Sequence, residues 1–270
     1  MRSRVARPLR RGAGVLGATT VVVTVLTLLG TVLAPAARAD AFPVNPGPIV
    51  AGRPIVGTGH NLPPITGGTY DAGALNIDAI VRYYATTAPA DRAAVARVAK
   101  AWIDRWLQRT CGSRTAVRCR AVVVFDIDET LLGTLSYSLA QDPVNQFNPA
   151  TWDAYVRSCA YQPIPEVIGL YQALQAERIP LVLLGGGSES LREAWVSCLQ
   201  SNGITGWQAF ILRGPESSGL TVAEFKARER ARIEAAGQRV VASIGDQVSD
   251  MAGGHLVRGF LLPNLLYYLG

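Results

Sequence analysis

The sequence predicts an α/β domain built on a parallel sheet, and three stretches carry that prediction. Val122-Val123-Val124-Phe125, Leu181-Val182-Leu183-Leu184 and Val240 to Ile244 are short apolar runs of the kind that fully buried parallel strands show. Segments of helical periodicity separate them, and alternation of strand and helix means a parallel sheet. Each run breaks directly into small or acidic residues: Asp126-Ile127-Asp128-Glu129-Thr130, Gly185-Gly186-Gly187 and Gly245-Asp246. In such sheets ligands gather beyond the carboxyl ends of the strands.

Residues 1–39 read as an export signal. Arg2, Arg4, Arg7, Arg10 and Arg11 form a basic start, Val15 to Leu33 is uncharged and apolar, and Ala37-Arg38-Ala39 is a small-x-small cleavage pattern. Arg10-Arg11 adds a twin-arginine feature, and an uncleaved membrane anchor is the rival reading of the apolar run. The signal holds six arginines and no acidic residue. Setting them aside from 26 basic residues leaves a balance with the 20 acidic ones. The mature chain therefore has no net charge to recommend a nucleic-acid partner, and no membrane span is expected once the signal is cut. The expected location is secreted or cell-envelope/periplasmic.

Residues 40–69 are rich in Pro and Gly and read as a linker or extended arm, with the folded domain at 70–270. Apolar spacing from Asn76 to Gln108 predicts two helices broken near Pro89, an N-terminal helical extension to the sheet domain. Leu131 to Asn148 reads as a loop or flap, and Pro149 to Ala176 as mostly helical. Ser190-x-x-Glu193 and Thr221-x-x-Glu224 are capping boxes opening two further helices, the second ending at Gly237; Phe210-Ile211-Leu212 is one more strand. Cys111, Cys119, Cys159 and Cys198 are an even set in an exported chain, which predicts disulfides. The pairing preferred among the three arrangements is Cys111 with Cys119 and Cys159 with Cys198. Zinc is the competing use, but no C-x-x-C spacing supports it.

Four features stand at strand ends or helix starts: Asp126/Asp128/Thr130, the glycines from Gly185 to Ser188, Lys226, and Asp246 with Asp250. Singly, each has a plain explanation as a solvated turn, a flexible loop or a charged helix face. Lys226 resists its plain explanation, because the chain has 24 arginines and only two lysines. Retaining Lys where Arg is the habit points to a compact point charge, as a phosphate contact wants.

Together, Asp126-Ile127-Asp128-Glu129-Thr130, Lys226 and Gly245-Asp246-Gln247-Val248-Ser249-Asp250 resemble motifs one, three and four of the haloacid dehalogenase (HAD) superfamily. More narrowly, the chain is similar to its secreted class B and C acid phosphatases, which include the plant vegetative storage proteins. Phe147 to Leu184, with Trp152, Tyr155, Val156 and Pro165, and the ending Leu262-Pro263-Asn264-x-x-Tyr267-Tyr268 carry the resemblance over Tyr70 to Gly270. It implies a Rossmann-like sheet flanked by helices without a large cap domain, and a Mg²⁺ cofactor. Asp126 would be the nucleophile forming an aspartyl-phosphate, and Asp128 the acid and base. Mg²⁺ would be held by Asp126, the backbone carbonyl of Asp128 and Asp246, with Asp250 in support. Lys226 would neutralise phosphoryl charge, with Thr130 a supporting hydroxyl at the phosphate.

One position departs from the pattern. Motif two ends its strand in Thr or Ser, and alignment places Gly185 there, with Gly187 in place of a frequent arginine. Backbone N–H groups of Gly186 and Gly187, or the hydroxyl of Ser188, are the expected substitutes at the phosphate. The implied function is an exported Mg²⁺-dependent phosphomonoesterase of broad specificity acting on small molecules. The alternative is a catalytically weak or inactive binding or storage protein on the same fold. A dehalogenase would require neither Asp128 nor a metal site. His60 and His255, the two histidines, sit in no Arg-His-Gly context and are too few for a typical dinuclear metallophosphatase. Trp152 and Tyr155 are candidates to stack on an aromatic leaving group, with core packing the alternative for both. No motif specifies an oligomeric state.

Overall fold

The computed structural model describes residues 42–44, 55–65, 68–74, 76–112 and 119–269. The predicted signal, with its cleavage pattern, lies outside them. The chain runs β1 (Phe42–Val44), β2 (Ile55–Gly57), β3 (Thr69–Asp71), α1 (Ile77–Thr86) and α2 (Ala88–Cys111), then β4 (Ala121–Phe125), β5 (Leu132–Gly133), α3 (Leu135–Leu139), α4 (Pro149–Ser158) and β6 (Gln162–Pro163). It continues through α5 (Pro165–Ala176), β7 (Leu181–Ser188), α6 (Arg192–Ser201), β8 (Ala209–Arg213), α7 (Val222–Ala235), β9 (Arg239–Gly245), β10 (Arg258–Leu261) and β11 (Tyr267–Leu269).

The main sheet has the order β1-β2-β10-β9-β4-β7-β8. All its pairs are parallel except the edge pair β1–β2. Central β4 lies between β9 and β7, so Asp126, the glycines near the end of β7 and Asp246 stand at neighbouring carboxyl ends. That adjacency turns three distant sequence stretches into one place.

Alternation along the strands builds a core on each face. Val123, Phe125, Leu181 and Leu183 pack with Val95, Ile103, Leu107, Val167 and Tyr171 from α2 and α5, and with Trp195 of α6. Val122, Val124, Val182, Leu184 and Val240 pack on the other face with Phe225 and Ile233 of α7. A sheet buried on both faces explains the unbroken apolar runs. The expected α/β architecture with helices on both faces is the one observed.

Several local expectations are refined. The stretch read as linker contributes β2, whose buried Ile55 and Val56 pair with Gly259 and Phe260. Pro89 stands in the first turn of α2, where its missing N–H costs nothing. The expected loop after Thr130 contains α3 and the short β5, which pairs with β6. Thr221 and Glu224 form their capping box. Ser190 and Glu193 do not: the chain passes through a 3-10 turn, Glu189–Leu191, and the helix starts at Arg192. Both disulfides take the preferred pairing, with Cα separations of 5.6 Å for Cys111–Cys119 and 5.4 Å for Cys159–Cys198.

Candidate active site

Asp126 extends β4 by one residue, its N–H bonded to Ile244 O at 2.9 Å. The chain then wraps tightly: the N–H groups of Leu131 and Leu132 both reach Ile127 O, at 2.8 and 2.9 Å. Glu129 takes the left-handed conformation there, φ 52°, which costs an ordinary L-residue about 1–2 kcal/mol. Its side chain offsets that cost. Fully buried, Glu129 accepts Arg92 Nη2 at 3.0 Å and Thr134 Oγ1 at 2.9 Å. This buried pair braces the turn from Ile127 to Leu132 that follows Asp126 and carries Asp128.

Lys226 projects from the second turn of α7 and is 3% exposed. Its ammonium donates to Asp126 Oδ1 at 2.5 Å and to Asp250 Oδ1. Burial alone would lower its pKa, but Asp126 and Asp250 outweigh burial and raise it. Lys226 is therefore a fixed positive charge, not an acid–base group. Asp250 also accepts Gln247 N–H at 2.9 Å in a capping box. Gly245 has no substitute here, because a β-carbon would fall 2.1 Å from Asp250 Oδ2.

Asp246 is oriented by neutral donors. Thr130 Oγ1 donates to its Oδ1 at 3.1 Å; Gln247 Nε2 and Asn264 Nδ2 both donate to Oδ2 at 2.7 Å. Asp126, Asp246 and Asp250 bring one carboxylate oxygen each within 4.8 Å of the others. Burial pushes Asp246 well above the usual carboxylate range, and the charges of Asp126 and Asp250 add to the effect. Asp250 is pushed up to about 6, by burial first and Asp126 after it, against the pull of Lys226. Three crowded carboxylates facing one ammonium are an excess of negative charge that a hard divalent cation relieves, and oxygen-only donors suit such a cation. The donor set therefore fits a metal. Asp128 keeps its side chain outside this set. Its Oδ1 is buried without a hydrogen bond, and burial, then the charge of Asp126, raises its pKa well above normal. That shift favours the protonated form, the one an acid catalyst needs.

Asp126, Asp128, Lys226, Asp246 and Gln247 line a cavity of about 530 Å³, together with Gly186, Gly187 and Arg213. Tyr70, Tyr137, Phe147, Trp152 and Tyr267 add aromatic rings to its lining, Tyr137, Phe147 and Trp152 in mutual contact and Phe147 53% exposed. Trp152 thus reaches the cavity. Tyr155 instead packs among Tyr137, Trp152 and Tyr161.

Three expected phosphate contacts fall elsewhere. Thr130 is fully buried behind Asp246, and its hydroxyl is spent on that carboxylate. Gly185 faces the core: a β-carbon there would meet Ile127 Cδ1 at 2.9 Å and Leu212 Cδ2 at 3.0 Å. Ser188 is exposed, its hydroxyl within 2.8 Å of Ser190 Oγ. The strand runs on through the glycines to Ser188; Gly186 and Gly187 both line the cavity, and a β-carbon on Gly186 would have ordinary contact with Val222 at 3.5 Å, whereas one on Gly187 would crowd Trp195. Arg213 in the cavity lining has no counterpart among the expected site residues, and Gln247 and Asn264, expected only as parts of their motifs, prove to orient Asp246.

Residues 80–270 match the family model described as "HAD superfamily, subfamily IIIB (Acid phosphatase)". Acid phosphatase 1 of Solanum lycopersicum is 34% identical over 152 residues, 56% of this chain and 60% of that protein. Vegetative storage protein 1 of Arabidopsis thaliana is 31% identical over 150 residues, 55% of each chain. The match thus spans less than two thirds of these relatives. Among solved structures, the class C acid phosphatase from Bacillus anthracis shares the fold, with a TM-score of 0.52 at 14% identity, covering 70% of this chain and 85% of that one.

Proposed function

Since the chain belongs to subfamily IIIB of the HAD superfamily, the acid phosphatases, we propose that it is an exported Mg²⁺-dependent phosphomonoesterase working through a phosphoryl-aspartate. The observation that supports this most is Lys226 clamping one oxygen of Asp126 beside the Asp246/Asp250 carboxylates, with Asp128, whose pKa burial raises, two residues on. The clamp leaves Asp126 Oδ2 without a hydrogen bond among the described residues, available to the cavity. That oxygen attacks phosphorus and the ester P–O bond breaks. Asp128 gives its proton to the leaving oxygen, then as carboxylate takes a proton from the water that releases phosphate. Lys226 offsets the phosphoryl charge from a fixed, buried position. Mg²⁺ held by Asp126, Asp246 and the Asp128 carbonyl, with Asp250 in support, would let carboxylate and phosphate approach. The two disulfides support an oxidising destination, and no helix among the described residues is long and apolar enough to cross a membrane.

The test is phosphate release from p-nitrophenyl phosphate. Turnover is expected with Mg²⁺, lost in EDTA and restored by Mg²⁺; full activity in EDTA contradicts the metal. Removal of the metal should also show in stability. Mg²⁺ at 100 times its Kd stabilises by about 2.7 kcal/mol, a Tm gain of roughly 5–10 °C for a domain of this size. The gain should shrink as pH falls through about 6, where Asp250 takes up its proton. A Tm indifferent to Mg²⁺ at neutral pH would count against the site.

The storage-type reading draws on one observation: β7 presents no side-chain donor to the cavity. A single substitution weighs it. Gly186→Ser places a hydroxyl at the phosphate, and a hydrogen bond to a charged group is worth about 1.5–3 kcal/mol, roughly 10- to 150-fold if felt only in the transition state. We expect kcat/KM to rise by up to about that factor, while Gly185→Thr crowds Ile127 and Leu212 and lowers Tm without gain. A gain at Gly185 alone would overturn the placement of Gly186 at the phosphate.

A further inference from the structure

We propose that Arg213 is the second cationic contact of the transferred phosphoryl group, standing in for the side-chain donors that β7 lacks. The inference rests on the phosphomonoesterase reading for its substrate, though not for its anion.

Arg213 closes β8, level with Ser188 of β7, and is half-buried in the cavity wall that also holds Gly186, Gly187 and Lys226. Strands lie about 4.8 Å apart, so Arg213 stands roughly 10 Å from β4 with the bare glycine strand between them. No side chain on β7 blocks its approach. One Nη2 bond to Leu220 O and the ring of Phe225, 5.8 Å from its guanidinium carbon, hold the head in place. Neither neutralises it. Among the described residues Arg213 has no carboxylate partner, whereas Lys226 is already shared between Asp126 and Asp250. A guanidinium left unpaired at a site otherwise dominated by carboxylates is charge reserved for an incoming anion. Its planar fork suits two phosphoryl oxygens at once. Gly187 does not compete for the role, since its β-carbon would lie 3.1 Å from Trp195 Nε1 and leave little room for a longer side chain.

The test compares Arg213→Gln and Arg213→Lys with the unaltered protein, all loaded with Mg²⁺. Calorimetric binding of inorganic phosphate and kcat/KM for p-nitrophenyl phosphate are both measured. Arg213→Gln should weaken phosphate binding by about 10- to 100-fold and lower kcat/KM by a similar factor. Arg213→Lys should recover part of both, and the Mg²⁺-induced shift in Tm should persist in each variant. Unchanged phosphate affinity in a folded Arg213→Gln protein overturns the inference. So does an effect confined to substrates bearing a second anionic group, which would place Arg213 at the leaving group. If the unaltered protein binds phosphate through Arg213 but hydrolyses nothing, the inference stands and the hydrolase reading falls.

Discussion

Asp126→Asn is expected to remove turnover, by at least about 10⁴-fold, the scale on which loss of a covalent nucleophile is felt. An amide keeps the shape of the carboxylate but offers phosphorus no anionic oxygen. The fold should survive, and that separates chemistry from structure. Asp126 contributes to the crowding that raises Asp246 and Asp250, so removing its charge relieves repulsion in the metal-free protein. Lys226 retains Asp250 as a partner. A metal-free Tm near or above that of the unaltered protein, with no phosphate release, is the predicted pair of results. Residual activity above a hundredth of the original would demand another nucleophile.

Lys226→Met should be the more disruptive change, because it strikes catalysis and stability together. Loss of a preorganised charge at the phosphoryl group costs about 10²- to 10³-fold in kcat. Breaking a buried pair by removing one partner costs about 3–5 kcal/mol, since the uncompensated charges remain. Here two carboxylates, Asp126 and Asp250, are left facing each other in the interior. The pH dependence follows from the sign of the shift. Asp250 already has a folded pKa raised to about 6 with Lys226 present. Its favourable contribution is therefore complete below its unfolded pKa, near 4, and is lost as pH rises through the folded value. Without the lysine that value rises further, so the metal-free variant should be least stable above about pH 6 and recover on acidification. Thermal melts in EDTA at pH 5 and pH 8 read this directly. A loss of Tm that is the same at both would contradict the account.

The carboxyl-end cluster was legible because its signals are local. Each buried strand announces itself by composition, and Asp126, Gly245 and Asp246 follow the last apolar residue without a gap. Lys226 stood out against an arginine-rich background, and the even cysteine count invited the pairing the structure has. What escaped depends on relations across the sheet. Gly185 and Gly186 differ by one residue, yet one faces the core and the other lines the cavity. The strand pairing shifts between Leu184 and Ser188, so no motif spacing could assign their faces. Thr130 and Asn264 are ordinary polar residues until β4 and β9 bring Asp246 between them. Arg92 and Glu129 come from a helix and a turn that only the tertiary fold joins. β2 is three residues long between Pro54 and the turn after Gly57, too short for any period to show. The Ser190 capping box failed for the opposite reason: the pattern is local and genuine, but Arg192 reaches back to Glu189 and Phe210 O and draws the chain into a tighter turn.

The most direct measurement is chemical trapping of the phosphorylated enzyme. Mg²⁺-loaded protein turning over p-nitrophenyl phosphate is quenched with borohydride, which reduces an acyl phosphate to the alcohol, and the peptide carrying Asp126 is sequenced by mass spectrometry. The account predicts homoserine in place of Asp126, dependent on both substrate and Mg²⁺, with Asp128, Asp246 and Asp250 unchanged. Rapid phosphate release with Asp126 never modified would contradict it.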